Sequence, residues 1–333
     1  MNRPLRAALI GCGNIASRLS SDAGTVGVYT HAEAYKTCAE TELVALCDLD
    51  DAALQECGER WQVAARYRDA RQLLDEVRPE IVSICTPDAT HYELALLALG
   101  APGVRGVLIE KPLALDLAEA RELAALAAER KMTVAVNHSR RYAASHQALR
   151  EDLRTGRLGR IQSVGGIYTK GVLHNGTHWF DLLRFLAGEI VSARGFRRAG
   201  DAADDPTLDA VLELESGASA QLHGCDADCF SIFEMDIIGS AGRVRVVDFG
   251  HTFERFETAE DPRYAGYRSL RRVDSDDAGM RDTTLHAVRD LAACVSGGGT
   301  PRCSIDDAIR ALEIAIAVKE SAQTGVPVRF SKS

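Results

Sequence analysis

With 333 residues, 46% of them hydrophobic and 26% charged, the chain is large enough for two domains and has neither a disordered nor a fibrous composition. A formal net charge of -9 argues against an extended nucleic-acid surface, which needs clustered Lys and Arg, while leaving room for a locally basic pocket. No apolar run is long enough to span a bilayer, and nine scattered cysteines, an odd number, suit reduced thiols in a cytoplasm.

The opening stretch MNRPLRAALIGCG pairs two arginines with a short apolar run, as a signal peptide does. Its ending in glycines gives the better reading, a first β-strand over Leu5–Ile10. Further apolar runs follow at Glu42–Asp48, Glu80–Thr86, Gly106–Ile109 and Thr133–Val136. Their continuous rather than alternating character predicts strands buried on both faces of a parallel sheet. Helical patterns separate them. Thr90–Gly100 places Leu94, Leu97 and Ala98 on one face, and Asp116–Arg130 starts with an Asp cap before Leu117, Ala120, Leu123, Ala124 and Ala127.

After about residue 137 the pattern changes. A helix near Ala143–Thr155 leads through Gly156 and Gly159 to a strand near Ile161–Thr169, and a second helix spans about Thr177–Ala187. Runs at Leu208–Glu215, Ala218–Leu222, Ser231–Ile238 and Val244–Phe249 then follow one another without helices between them. Such a succession predicts a mostly antiparallel sheet. Tyr264–Asp282 reads as a polar, mobile loop; helices return at Thr283–Cys294 and Ser304–Thr324, and Val326–Phe330 closes the chain. The fold class is thus α/β: a Rossmann-type doubly wound parallel sheet over residues 1–136, then an α+β domain over 137–333 with a large open sheet.

Gly11-Cys12-Gly13-Asn14-Ile15-Ala16 fits the dinucleotide fingerprint, placed after a strand and before an expected helix. Gly11 permits the tight turn, Gly13 lets backbone approach a pyrophosphate, and Ala16 lets the helix pack on the strand. Asp48, ending the second strand, is suited to the ribose hydroxyls of NAD and repels the extra phosphate of NADP; Asp50 and Asp51 add to that repulsion. It lies further from the glycines than the usual spacing of about twenty residues, and Arg18–Thr30 looks inserted. The alternative is that Asp48 merely caps the next helix. Cys225, Cys229 and His223 lack a matching second half-site for zinc, so no metal is expected there and the thiols read as buried ones.

Glu110-Lys111-Pro112 falls at the end of the fifth strand, at the sheet edge where ligands bind. From here the chain resembles the Gfo/Idh/MocA oxidoreductases, which include glucose–fructose oxidoreductase and inositol dehydrogenase. The resemblance runs nearly end to end, through GCGNIA, HAEAY (His31–Tyr35), CTPDATH (Cys85–His91), EKP, NHSRRY (Asn137–Tyr142), HNGTHWFD (His174–Asp181) and PRCSIDDAIRALEIA (Pro301–Ala315). It implies that Thr86, Pro87 and His91 line the cofactor site, that Asn137 joins the cofactor contacts, and that Glu110 helps fix the nicotinamide side. Lys111 would contact the reacting hydroxyl through a cis Lys-Pro peptide. Of the family pattern D-x-G-x-H-x-x-D, His178 takes the catalytic histidine and Asp181 the last aspartate, while His174 replaces the first aspartate.

The chemistry also follows from the residue types. As hydride leaves the carbon of a secondary alcohol, a base must take the hydroxyl proton, for which histidine is suited. A lysine ammonium stabilises the developing alkoxide. Hence His178 is assigned as acid/base and Lys111 as its electrostatic partner. His178 read alone is equally an ordinary first-turn helix residue; His174 either touches substrate or supports residues that do, and Asp181 either orients His178 or favours the helix N-terminus. Lys170, Arg141, His174 and Asn175 are candidates for a polar pocket around a sugar, sugar nucleotide or cyclitol. Rival readings are an NAD-using glycosidase of the same fold and a non-catalytic sensor. A homodimer or homotetramer is expected, since an open sheet face needs covering, with no nucleic-acid or membrane partner.

Overall fold

Runs of branched apolar residues form the first sheet of the computed structural model, which describes residues 3–21, 27–197, 204–277 and 279–331. The strands are β1 (Leu5–Ile10), β2 (Thr41–Cys47), β3 (Ala65–Tyr67), β4 (Ile81–Ile84), β5 (Gly106–Ile109) and β6 (Thr133–Val136). They are all parallel and lie in the order β3-β2-β1-β4-β5-β6, the doubly wound arrangement. Helices α1 (His31–Thr37), α2 (Asp51–Trp61), α3 (Ala70–Val77), α4 (His91–Gly100) and α5 (Leu117–Glu129) connect them. Every residue of β4 and β5 is buried, as continuous apolar runs require when helices cover both faces. Each such Ile, Leu or Val contributes roughly 1.5–3 kcal/mol by leaving water. Asp116 caps α5 as expected, its carboxylate accepting from the amides of Ala118 and Glu119.

One expectation needs correction. The glycine turn does not lead into an uninterrupted helix. Ser17 N–H bonds to Gly13 O, a single helical turn, and a short 3-10 turn follows at Arg18–Ser21. Residues 22–26 of the expected insertion lie outside the described residues. The chain then returns so that His31 N–H donates to Ile15 O at 3.2 Å and Ala32 N–H to Ala16 O at 2.9 Å. His31 therefore stands where residue 19 would in a continuous helix. The helix is spliced, its two parts joined by hydrogen bonds rather than by sequence. The looped-out segment accounts for the long spacing from the glycines to Asp48.

The chain divides into two units, one of Met1–Ala143 and Arg281–Leu312, the other of Ala144–Met280 and Glu313–Ser333. The second begins with α6 (Ala144–Arg154), β7 (Ile161–Tyr168) and α7 (Thr177–Ala187). Strands β8 (Ile190–Phe196), β9 (Asp209–Leu214), β10 (Ser219–Gly224), β11 (Phe233–Gly239), β12 (Gly242–Val247), β13 (Thr252–Glu260) and β14 (Arg268–Asp277) follow. After α8 (Thr283–Gly297) and α9 (Ile305–Thr324), β15 (Val328–Arg329) completes a nine-stranded sheet. Its order is β14-β13-β12-β11-β7-β10-β9-β8-β15, and only β7 and β10 pair in parallel.

Burial alternates along β9, β10, β11 and β12, so one face is covered. Fully buried Trp179 of α7 lies against the backbone of Gly166 and donates its indole N–H to Glu234 O at 3.1 Å. A side chain at 166 would occupy the ring's place. The expected mobile loop at Tyr264–Asp282 is instead largely strand β14, paired with β13 from Arg268 to Asp277. As an edge strand with Leu270 and Val273 exposed, it has no core face and hence no apolar alternation to read. Among the described residues no helix is long and apolar enough to cross a membrane.

Candidate active site

In a doubly wound sheet the ligand crevice opens where the strand order reverses, here between the carboxyl ends of β1 and β4. A cleft of about 580 Å³ lies there, and Gly11, Gly13, Asp48, Thr86 and Pro87 all line it. Gly11 has φ 94°, and a Cβ on it would stand 2.7 Å from the Cys85 carbonyl and 2.9 Å from Thr86 N. Only glycine allows that approach. A Cβ on Gly13 would meet nothing within 4 Å. Among the described residues, the backbone N–H groups of Gly13, Asn14, Ile15 and Ala16 have no acceptor. These unpaired donors at the start of a helical turn suit an anionic group.

Asp48 is half-buried, and its Oδ2 accepts from Cys12 N at 2.6 Å while Oδ1 accepts from Asp50 N at 2.9 Å. Cys12 itself is buried, so it reaches the site through this amide. The cap of α2 is Asp50, whose side chain accepts from Ala52 and Ala53. That removes the reading of Asp48 as a mere cap. Arg68, absent from the candidates read from sequence, also lines the cleft; it is held by Asp51 at 3.0 Å and by Leu49 O at 3.1 Å. The thiols of Cys47 and Cys85 border the same cleft. Burial pushes Cys47 up to about 12 and raises Cys85 as well, so neither supplies a nucleophile at neutral pH.

At the end of β5 the peptide between Lys111 and Pro112 is cis. Behind Lys111, Glu110 Oε1 accepts from Asn137 Nδ2 at 2.6 Å and lies 2.8 Å from His31 Nε2. Burial pushes the Glu110 carboxyl up, but His31, Asn137 and the nearby Lys111 outweigh it and hold the group below the usual carboxylate range. His31 Nδ1 is 3.0 Å from Ser83 Oγ, which is 2.7 Å from the Tyr35 hydroxyl. Asn137 Oδ1 is buried and has no hydrogen-bond partner. Rotating the amide would not help, because it would set an oxygen against the Glu110 carboxylate. His91, by contrast, does not face the cleft. It is fully buried, with its ring nitrogens 2.6 Å from Pro112 O and 2.8 Å from Thr86 O, tying the loop after β4 to the Lys111-Pro112 turn.

In the second unit the HNGTHWFD stretch spans a π-helical turn, Gly171–Gly176, and the start of α7. Lys170 is exposed, with φ 69°, just before the turn. The turn is fastened through its backbone: Asp205 Oδ1 accepts from Leu173 N at 2.8 Å and Oδ2 from His174 N at 2.9 Å. Burial raises the Asp205 carboxyl despite these two bonds. Asn175 Nδ2 donates to Thr169 O at 2.9 Å. His178, half-buried in the first turn of α7, meets the Phe233 ring edge-on at 6.4 Å, and Asp181 is buried one turn later.

Besides His91, two expectations fail. Arg141 is not available to a substrate pocket: its guanidinium is buried, 3.0 Å from Asp307 and 3.3 Å from Arg302 O, inside the first unit. Cys229 is exposed and Cys225 half-buried, so they are not buried thiols. Residues missed from the sequence include Ser83 and Asp205. A serine inside an apolar strand was the available signal for the first; Asp205, far from the motif it anchors, gave none.

The unpaired amides of the glycine turn, the open side of Gly13 and the orphaned Asn137 Oδ1 all fit a dinucleotide with a carboxamide at one end. Residues 5–138 match the oxidoreductase-family model for an NAD-binding Rossmann fold, and residues 165–330 match that family's C-terminal α/β domain. The chain is 31% identical to a D-glucoside 3-dehydrogenase of Escherichia coli K12 over 59% of either protein. It is 24% identical to a myo-inositol 2-dehydrogenase of Thermotoga maritima over 98% of this chain and 99% of that one. A WlbA dehydrogenase structure from Chromobacterium violaceum, in complex with NADH and UDP-GlcNAcA, superposes with a TM-score of 0.79. At 22% identity, with 100% of this chain and 97% of the other covered, that likeness shows the fold. The chain belongs to the Gfo/Idh/MocA family of oxidoreductases, with an NAD-binding Rossmann fold as its first domain.

Proposed function

We propose that the protein is an NAD-dependent dehydrogenase acting on a secondary alcohol, or the matching ketone, of a sugar, sugar nucleotide or cyclitol. The observation that carries this reading is the Glu110–Lys111 end of β5, where an ionised, doubly hydrogen-bonded carboxylate sits beside the lysine. The relatives' names, a glucoside dehydrogenase and an inositol dehydrogenase, support the substrate class.

When bound, NAD supplies the hydride acceptor. The turn Gly11–Ala16 would hold its phosphates, Asp48 its ribose hydroxyls and Asn137 its carboxamide. Thr86 and Pro87 line its path along the cleft. Lys111 donates to the reacting hydroxyl and stabilises negative charge there as hydride departs. His178 takes the hydroxyl proton, and Asp181 orients it. His174, Asn175 and Lys170 contact the remaining hydroxyls. Asp48 and Asp50 favour NAD over NADP by repelling a second phosphate. Nine free thiols suit a reducing compartment, and the exposed outward positions of β9 and β10 suit a homodimer or homotetramer.

Absorbance of reduced nicotinamide, followed with NAD and a panel of sugars, inositols and UDP-sugars, tests the reading. Lys111→Ala and His178→Ala should each lower kcat/KM by roughly a hundredfold or more, the usual weight of an acid–base or charge-stabilising group. Sugar release from a glycoside without net NADH would overturn it, and unchanged rates in both variants would remove the assignment of Lys111 and His178.

A further inference from the structure

The polar chain behind Glu110 reaches deeper than contact with a cofactor requires. It runs from Tyr35 Oη to Ser83 Oγ (2.7 Å), to His31 Nδ1 (3.0 Å), and from His31 Nε2 to Glu110 (2.8 Å). Tyr35, Ser83 and His31 are completely buried. With Nε2–H donating to the carboxylate, Nδ1 accepts from Ser83, whose oxygen accepts from Tyr35, and every group is satisfied. Burial raises the Tyr35 phenol, so it keeps its proton, and the chain ends there without reaching solvent. A closed line of this kind braces a group; it does not carry protons away.

His31 also occupies the splice in the first helix. Its backbone N–H donates to Ile15 O, in the turn whose free amides face the phosphate end of the site, while its imidazole holds Glu110 at the opposite end. One residue thus couples the two ends.

We infer that His31 is a positioning residue: seated on Ser83 and Tyr35, it holds Glu110 as a fixed anion beside Lys111 and so sets where the lysine ammonium stands. The inference rests on the dehydrogenase reading above. Glu110 is faced by His31 from α1, by Asn137 just after β6, by Cys85 just after β4, and by its neighbour Lys111. Without His31, burial would dominate and the carboxyl would bind its proton at higher pH.

The test compares His31→Leu, His31→Gln and Tyr35→Phe with the native protein. In His31→Leu, kcat falls roughly ten- to a hundredfold, the rate equivalent of one hydrogen bond to a buried charge. The acidic limb of its kcat/KM profile moves to higher pH, and His31→Gln, whose amide keeps a donor, restores both. Tyr35→Phe shifts the limb less, in the same direction. Infrared difference spectra give a reading independent of turnover: a neutral carboxyl band persists to higher pH in His31→Leu than in the native protein and disappears when Glu110→Gln is added. If His31→Leu does not fold, judged by circular dichroism and NADH fluorescence, the other two variants decide. Acidic limbs identical to the native one in every folded variant, with no shift of the carboxyl band, would overturn the brace. Two controls keep the cases apart: no NADH formed by the native protein with any substrate of the panel defeats the dehydrogenase reading, and full activity in Lys111→Ala defeats the role given to Lys111, whereas a dead Lys111→Ala with unshifted His31 variants defeats only the brace.

Discussion

The two units hold their candidate groups by different means. Beside Lys111 in the first, side chains grip side chains: Glu110 is fixed by His31 and Asn137, and His31 by Ser83. In the second, a carboxylate grips backbone: Asp205 takes the amides of Leu173 and His174 and leaves the orientation of the motif to a π-helical turn. A cofactor is the same molecule in every turnover, so rigid side-chain bracing suits it. A turn anchored by its backbone tolerates new side chains. The hydrogen bond from residue 174 to Asp205 comes from its backbone amide and survives the exchange of aspartate for His174, although the imidazole also lowers the Asp205 carboxyl by its charge.

The comparison is broken most sharply at Gly11. Gly11→Ala would put a Cβ 2.7 Å from the Cys85 carbonyl in a left-handed conformation, combining backbone strain with overpacking. Together these cost roughly 3 kcal/mol, about a hundredfold in NADH affinity, read by fluorescence titration. Native affinity in that variant would show that the turn is not held closed against β4. Asp48→Ala comes next, because it removes a carboxylate that already orders Cys12 and Asp50. NAD affinity should fall roughly tenfold, with NADP losing less, so the ratio of their kcat/KM values moves toward NADP. An unchanged ratio would take cofactor choice away from Asp48.

A stability test addresses the second unit. Gly166→Ala displaces Trp179 from the sheet and should lower stability by roughly 1–3 kcal/mol in a thermal melt. NADH affinity should stay native if the first unit's bracing is self-contained; a parallel loss of affinity would deny that.

How much of this was legible depends on what each residue's signal was made of. β1, β5 and β6 were read to the residue, because strands buried on both faces carry unbroken apolar runs. In the second sheet β7, β9, β10, β11 and β12 were found within a residue or two for the related reason that one face is covered, whereas β8 and β13 were missed. β14 was misread because an exposed edge has no such pattern, and three-residue β3 is too short to carry one. At the site, the glycines and Asp48 could be placed because their backbone roles dictate residue type. Arg141 was misplaced since a cation in sequence looks alike whether it meets a ligand or Asp307. Asp205 was invisible because its partner is backbone, which every residue has.

The smallest expected effect lies at that last residue and has a definite sign. Burial raises the Asp205 carboxyl above its ordinary value even with two amides bonded to it. The folded state therefore binds this proton more tightly than the unfolded chain. Its contribution is fully present below the unfolded value and is lost as pH rises through the raised folded value. Asp205→Asn removes the titration and keeps one acceptor oxygen for one of the two amides. Its stability relative to the native protein should be lowest in acid and should improve as pH climbs through the carboxylate range, with a net difference of about 1 kcal/mol at neutral pH. Urea titrations of both proteins at several pH values would measure this directly. A gap that widens toward neutral pH would mean that Asp205 is held as a well-stabilised anion, and that the π-helical turn is secured by charge rather than by the amide bonds alone.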